Sequence, residues 1–458
     1  MTISSPSTIP NWEIKRLLEY YLADPGFLEK MRAEPLQAAE SCGVNFDPLL
    51  VQRLWDRESA AREDNPSEAS YRQYINSKLD LRERIRREGE PLDPTYRSWR
   101  ARQINRLPWE LGPHKSESII HAPFAVELCK GCSVGCWFCG IAAEKLREHF
   151  VYTPENSELW KGCLTALKDL MGKGAAKWGF CYWATDPLDN PDYEKFCVDF
   201  HDILGMFPQT TTALAHKDPA RTRALLKLSQ SKDCPLNRFS ILTLGLFRKI
   251  FAEFSAEELS EVECLAQNKE SQLNKAQAGK VRDKLKKQAE KAGEDFVDNP
   301  NGGTIACVSG FLLNMVERTL RLVTPCLPSD KWPLGYKVLE EGTFEDGPGL
   351  RQLLGGMVER RMARDVSDLP FVKLESFIHH EELEDGFQIA SAFRRIRKTD
   401  SEQAEYLKLL GRALVEGTHP PAVLALNLAY QTGVPAPRTM ATLQAFFEKG
   451  LLVEEMAS

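Results

Sequence analysis

Apolar residues recur at helical spacing along Trp12-Glu-Ile-Lys-Arg-Leu-Leu-Glu-Tyr-Tyr21, and Asp24-Pro-Gly breaks that run and caps a second helix from Phe27 to Ala39. Leu49 to Trp55 has the pattern of a third. A charged segment, Arg57 to Arg87, leads through Pro91 and Pro94 into a basic, tryptophan-containing stretch that ends near Pro113. From Pro123 the texture changes to short β-rich runs alternating with helical ones, the order expected of a parallel sheet built from βα units. Six strands are predicted: Phe124 to Leu128, Trp178 to Trp183, Gln209 to Ala215, Arg238 to Leu244, Thr304 to Val308 and Leu322 to Pro325. Helices are predicted between them at Glu155 to Met171, Pro191 to Leu204, Pro219 to Leu228 and Phe311 to Leu320.

Two segments break this alternation. Glu257 to Glu294 is rich in lysine and glutamate and reads as an exposed helical pair or mobile lid, inserted over 255–300 between the fourth and fifth strands. After Phe344 the pattern is helical again, with helices at Glu402 to Val415, Pro421 to Tyr430 and Arg438 to Glu448 and a short β-wing at Gly450-Leu-Leu-Val-Glu454. Residues 402–456 therefore resemble a winged helix-turn-helix module. The expected organisation is a helical region over 1–113, an α/β domain over 114–345 and a helical domain over 346–458.

Composition narrows the class. The chain has 458 residues, 43% hydrophobic and 27% charged, the balance of a globular protein with a sizeable core. No run approaches eighteen apolar residues, and the opening Met-Thr-Ile-Ser-Ser-Pro lacks the basic and apolar regions of a signal peptide, so a cytoplasmic protein with no membrane partner is expected. A net charge of −6 argues against nucleic-acid binding, local runs such as Arg82 to Arg87 reading as solvated helix faces.

Four of the 12 cysteines crowd into Cys129-Lys-Gly-Cys132-Ser-Val-Gly-Cys136-Trp-Phe-Cys139. In a reducing compartment such crowding reads as metal or redox chemistry. Cys132, Cys136 and Cys139, spaced x3 and x2, can give three thiolates to a 4Fe-4S cluster and leave one iron open to a small molecule. Gly131 and Gly135 allow the backbone to wrap, and Trp137 and Phe138 can shield the cluster. A four-cysteine zinc site that includes Cys129 also fits the spacing, and would make the chain a non-catalytic, zinc-containing peptide-binding adaptor. The position of the run, after one strand and before a βα series, favours the cluster and leaves Cys129 as a packing residue.

An aromatic residue just before the third cysteine, as Phe138 stands here, is similar to the pattern of radical S-adenosylmethionine enzymes. Strand order and spacing also resemble their partial (β/α)6, TIM-like barrel. That likeness implies S-adenosylmethionine as cofactor and its contacts at strand ends. Thr185 and Asp186 in Tyr182-Trp-Ala-Thr-Asp-Pro187 stand where that superfamily binds the methionyl amine, with helix capping by Asp186 or Asp189 as the competing role. Ser240, and His216 with Lys217, are candidates for the ribose and carboxylate.

Within that superfamily the cysteine run, Tyr182 to Tyr193 and Thr324-Pro-Cys-Leu-Pro-Ser-Asp-Lys-Trp-Pro-Leu-Gly-Tyr336 resemble the peptide epimerases that mature ribosomally made natural products of the proteusin type. The resemblance implies conversion of L- to D-residues in a precursor peptide: a 5′-deoxyadenosyl radical removes a Cα hydrogen and a thiol returns one from the other face. Cys326, after a predicted strand end and beside Pro325 and Pro328, is the candidate donor, and Cys307 is the runner-up. Cross-linking or methylation of a peptide would share the cofactors. Partners implied are a precursor peptide with a leader, bound by the winged module, and an electron donor of flavodoxin or ferredoxin type. The absence of cysteines beyond Cys326 predicts a single cluster. Tyr21 to Pro35 resembles the helical leaders of such precursors, as a leader mimic or as simple packing.

Overall fold

A computed structural model describes residues 8–56 and 65–454, so the start of the Arg57 to Arg87 segment and the last residues of the 402–456 module lie outside it. The architecture is mixed α/β, with helices around four small sheets. Among the described residues the strands are, in chain order, β1 Ala122–Glu127, β2 Cys129–Lys130, β3 Glu148–His149, β4 Thr211–Thr212, β5 Asn237–Ile241, β6 Val262–Ala266, β7 Val308–Asn314, β8 Thr319–Pro325, β9 Tyr336–Thr343, β10 His379–Leu383, β11 Gly386–Ala390 and β12 Arg395–Thr399. No closed barrel forms among the described residues.

The parallel runs fall into two groups. β7 lies parallel to β1, Val308 beside Ala122 and Asn314 beside Glu127, while β4, β5 and β6 make a parallel sheet of their own. The predicted strand at Trp178 to Trp183 reduces to a single parallel bridge from Ala125 to Phe180, with Val126 N–H donating to the Phe180 carbonyl at 2.9 Å. Apolar residues on the outer face of β1, Phe124 and Val126, pack with Trp160, Leu164 and Leu167 of the helix Pro154–Ala176 and with Phe196 and Phe200 of the helix Tyr193–Leu204. Thr153 starts the first of these helices by accepting the Asn156 N–H, and Gly205, in the left-handed region at φ 88°, ends the second.

Four expectations need correction. Phe311 to Leu320 is not a helix: β7 and β8 form an antiparallel pair there, and the seven residues of β7 are all buried, which hides any alternation between faces. Thr304 to Ala306 lie outside the strand that Val308 begins. The 255–300 insertion is not purely helical, because its Val262–Ala266 stretch is β6, the third parallel strand beside β5, and one helix, Lys280–Ala292, follows. The region after Phe344 contains the antiparallel sheet β10-β11-β12, and Gly450-Leu-Leu-Val-Glu454 makes an isolated bridge from Leu452 to Leu374 rather than a wing hairpin.

The N-terminal helices share a core with the sheet they precede. Ile14, Leu17, Phe27 and Met31 pack with Phe239 and Ile241 of β5, Val262 and Cys264 of β6, and Phe247 and Phe251. Within the leader-like Tyr21 to Pro35, Phe27 and Met31 are thus fully buried against the three-stranded parallel sheet. The helix Pro94–Glu110 ties this assembly to β1 and β7: Tyr96 donates its hydroxyl to the Pro123 carbonyl at 2.7 Å and lies 3.2 Å from the Ser309 carbonyl. A Cβ on Gly310 would sit 1.9 Å from that hydroxyl, so the close approach requires glycine. At the other end Arg102 bonds Glu454 through Nε at 3.0 Å and lies over the Phe447 ring at 4.1 Å, joining the C-terminal helices to the same helix. No helix among the described residues is long and apolar enough to cross a membrane.

Candidate functional site

β1 ends in Glu127, whose buried carboxylate accepts the Ala184 N–H at 2.7 Å and the Asn314 side-chain amide at 2.9 Å. Burial raises its pKa, and the two donors oppose that shift. Glu127 thereby locks β1, β7 and the turn after Phe180 in register just where the chain leaves for the cysteine loop. The sequence signal for it was an acid closing the apolar run Ala122-Pro-Phe-Ala-Val.

The loop doubles back through the β2–β3 pair, Cys129 opposite His149, and through bonds from Cys132 N–H to the Glu144 carbonyl at 2.9 Å and from Leu146 N–H to the Cys132 carbonyl at 3.2 Å. Gly131 and Gly135 have φ of 85° and 67°, and a Cβ on Gly131 would come 2.3 Å from the Lys145 carbonyl oxygen. Cys132, Cys136 and Cys139 are each half-buried, whereas Cys129 is fully buried. Burial raises the Cys136 thiol to about 11, and the Cys139 and Cys132 sulfurs add to that. Burial also raises Cys132, opposed by the backbone N–H groups of Val134 and Asp186. Ala143 N–H donates to the Cys139 sulfur at 3.3 Å. Among the described residues no three His, Cys, Asp or Glu side chains are gathered as they would be around one metal ion.

Comparison with known proteins sets this loop in context. The uncharacterized protein y4wI of Sinorhizobium fredii (strain NBRC 101917 / NGR234) is 37% identical over 369 residues, covering 78% of this chain and 72% of that protein. The chain belongs to the y4wI family. No family model matches it. The solved structure of BtrN in complex with AdoMet and 2-DOIA aligns with 52% of this chain and 81% of that chain, at 13% identity and a TM-score of 0.33.

In this y4wI-family chain the residues expected to contact a cofactor fall into two groups. Thr185 and Asp186 lie at the cysteine loop, but the Asp186 carboxylate is committed: it accepts Thr212 Oγ1 and Ala213 N–H, both at 2.7 Å, and Leu188 N–H at 3.0 Å as cap of the turn Pro187–Asp189. Burial raises its pKa to about 6, against those three donors. The capping role weighed for Asp186 is the one the geometry fills. His216 follows three residues after Ala213, and its Nδ1 is buried without a partner among the described residues. Ser240 shares its face of β5 with Arg238, because Phe239 and Ile241 point to the opposite, buried side. Phe138 is edge-on to Trp137 with ring centroids 5.4 Å apart.

The two candidate donor thiols share one end of the sheet. β8 runs antiparallel to β7, with Val323 beside Gly310, so Cys326 lies at the Ala122 end of the sheet, where Ala122 N–H also bonds the Cys307 carbonyl at 2.8 Å, and both thiols stand at the end opposite Glu127. Cys326 is fully buried, near the Arg106–Glu110 ion pair, and burial pushes its thiol up. Cys326 directly follows the end of β8, and that strand is antiparallel to β7 rather than one of a parallel series. Cys307 precedes β7 and packs on the same apolar core as Cys139, Tyr182, Trp183 and Ala184. Arg238, bonded through Nε to Glu263 at 2.7 Å, lies near Cys307 and Tyr182, and burial raises Cys307 to about 12. Arg238, Tyr182 and Glu127 were missed in the sequence because each stands inside a short run whose facing only the fold defines.

Proposed function

We propose that this chain is a radical S-adenosylmethionine enzyme that epimerises residues of a ribosomally made precursor peptide. The carrying observation is the glycine-turned loop that presents half-buried Cys132, Cys136 and Cys139, with Cys139 and Cys307 packed on one apolar core. When bound, the 4Fe-4S cluster and S-adenosylmethionine supply the 5′-deoxyadenosyl radical that removes a Cα hydrogen.

The chain's own residues do the rest. Cys132, Cys136 and Cys139 would each hold one iron of the cluster, Gly131 and Gly135 let the loop turn, and Phe138 with Trp137 would cover part of it. Asp186 positions the Pro187–Asp189 turn and the Ala213 backbone, while the free Nδ1 of His216 and the Ser240 hydroxyl offer hydrogen bonds to the cofactor. Burial keeps Cys307 protonated, as a hydrogen-atom donor must be. Its S–H bond breaks as the new C–H bond forms, and the sulfur radical then returns to the thiol by taking one electron from an external carrier and one proton from solvent. Cys307 is taken as the donor for its place on the core that also takes Cys139, and Cys326, at the same end of the sheet, is the alternative.

The leader segment of the precursor, in this reading, adds to β12. That strand is the outer one of β10-β11-β12, with Arg395, Arg397 and Thr399 exposed along it, and an unpaired strand edge accepts an extended peptide. The proposed docking edge thus moves from 450–454 to β12.

The test is anaerobic reconstitution followed by co-expression with a precursor peptide in deuterated water. About four irons per chain, 5′-deoxyadenosine release and D-residues about one mass unit heavier per site are expected. Methylation or cross-linking would change the product mass in ordinary water, and a zinc-containing chain without iron would remove the reading.

A further inference from the structure

The helix Lys280–Ala292 carries Lys280, Lys284, Lys287 and Lys291 at spacings that stack them on one face. They line a shallow groove with Asp283 and Gln288, and none of the four has an ion-pair partner among the described residues. Lys286, on the neighbouring face, is by contrast paired with Asp330 at 2.8 Å. A chain with a net charge of −6 has acids available for such lysines, yet this face keeps four cations and one acid.

The face adjoins the cysteine loop. Lys284 Nζ lies 5.6 Å from the Trp137 ring centroid, and Lys275 Nζ lies 5.6 Å from that of Phe138. Lys280 N–H donates to the Cys139 carbonyl at 3.0 Å, and a Cβ on Gly279 would sit 2.5 Å from that oxygen, so the helix start is seated directly on the third cysteine. Trp137, between two candidate ligands, is 39% exposed. An exposed tryptophan beside unpaired lysines combines a binding hot spot with a steering field.

We infer that this lysine face and Trp137 form the docking surface for an acidic one-electron carrier protein of flavodoxin type. The inference rests on the reading of the loop as a cluster site, which needs one electron delivered from outside per reductive event: the carrier is oxidised by one electron and the cluster reduced by one. Charge complementarity commits the surface to an acidic partner, and its contact with the loop commits it to an electron carrier rather than to the peptide.

The experiment measures binding of an acidic flavodoxin to the full chain by calorimetry, for wild type and for Lys287→Glu/Lys291→Glu, two residues that do not touch the cysteine loop. Wild-type affinity is expected to fall steeply between about 0.05 and 0.5 M salt, and the double variant to bind about tenfold or more weakly. Lys287→Gln/Lys291→Gln should fall in between, with unchanged circular dichroism for both variants. Unchanged flavodoxin affinity in the charge-reversed variant, no flavodoxin binding by wild type, or loss of precursor-peptide affinity in its place overturns the inference. Dithionite-driven release of 5′-deoxyadenosine by wild type reports separately on the cluster reading, because a small reductant needs no docking surface.

Discussion

The carboxylate of Asp189 accepts the backbone N–H of Ser133 at 2.9 Å, fastening the turn after Phe180 to the residue that follows Cys132. The bond spans 56 residues and ties the cysteine loop to a distant turn of the chain. A charge-assisted bond of this kind is worth about 1.5–3 kcal/mol, spent here on loop shape.

Asp189→Ala is therefore expected to lower iron uptake per chain by half or more under fixed reconstitution conditions, with little change in melting temperature. Asp189→Asn keeps an acceptor oxygen and should retain most of the iron. Equal iron content in all three proteins would show that Ser133 is held by other means.

A second expectation concerns acid. His121 is fully buried at φ 51°, its Nδ1 2.8 Å from Ser309 Oγ, and burial together with Arg100, Arg86 and Arg106 holds its pKa well below 6.5. The unfolded chain binds this proton more readily than the folded one. Stability from neutral His121 is thus fully present above pH 6.5 and is lost as pH falls below it, by up to about 1.4 kcal/mol per pH unit. His121→Asn, which tolerates a positive φ, should flatten the urea midpoint between about pH 6.5 and 5 relative to wild type. Parallel profiles for the two proteins would count against it.

What the sequence disclosed and what it hid follow from local chemistry. The cysteine loop was legible because ligand spacing and the two glycines are local properties, and the helices Pro154–Ala176 and Tyr193–Leu204 because each has its own period and caps. β7 was misread because a strand buried on every residue loses its alternation, and β6 because Val262–Ala266 is five residues long within a charged surrounding. The direction of β8 was invisible: only pairing with β7 reveals it, and with it the side of the sheet on which Cys326 lies.

Near Cys326, Arg106 and Glu110 form a buried ion pair one helical turn apart, their side chains 2% and 6% exposed. Arg106 also donates to the Pro325 carbonyl at 2.6 Å, and Glu110 accepts the Leu327 N–H at 2.8 Å. Removing one partner strands the other charge in the core. Glu110→Ala should cost about 3–5 kcal/mol by urea unfolding, whereas the paired change Arg106→Met/Glu110→Leu should cost markedly less. A Glu110→Ala loss below about 1 kcal/mol would mean that water reaches this pair.

That environment bears on which thiol completes the reaction. Cys326 is bounded by the ion pair and by its own N–H bond to the Gly335 carbonyl at 3.0 Å, so its sulfur reads as part of the packing that closes the end of β8. Cys307 packs on the core that also takes Cys139 and Tyr182. In deuterated water, Cys326→Ala should still yield deuterium-labelled D-residues, at a rate within a few-fold of wild type and with a stability loss of about 1–2 kcal/mol for the small cavity. Cys307→Ala should keep releasing 5′-deoxyadenosine while labelled D-residues fall by at least about a hundredfold, because the α-carbon radical forms without a partner to quench it. The split between 5′-deoxyadenosine and D-residue yield is the deciding reading, since misfolding would lower both together. Loss of label in Cys326→Ala with normal 5′-deoxyadenosine release would return the donor role to Cys326.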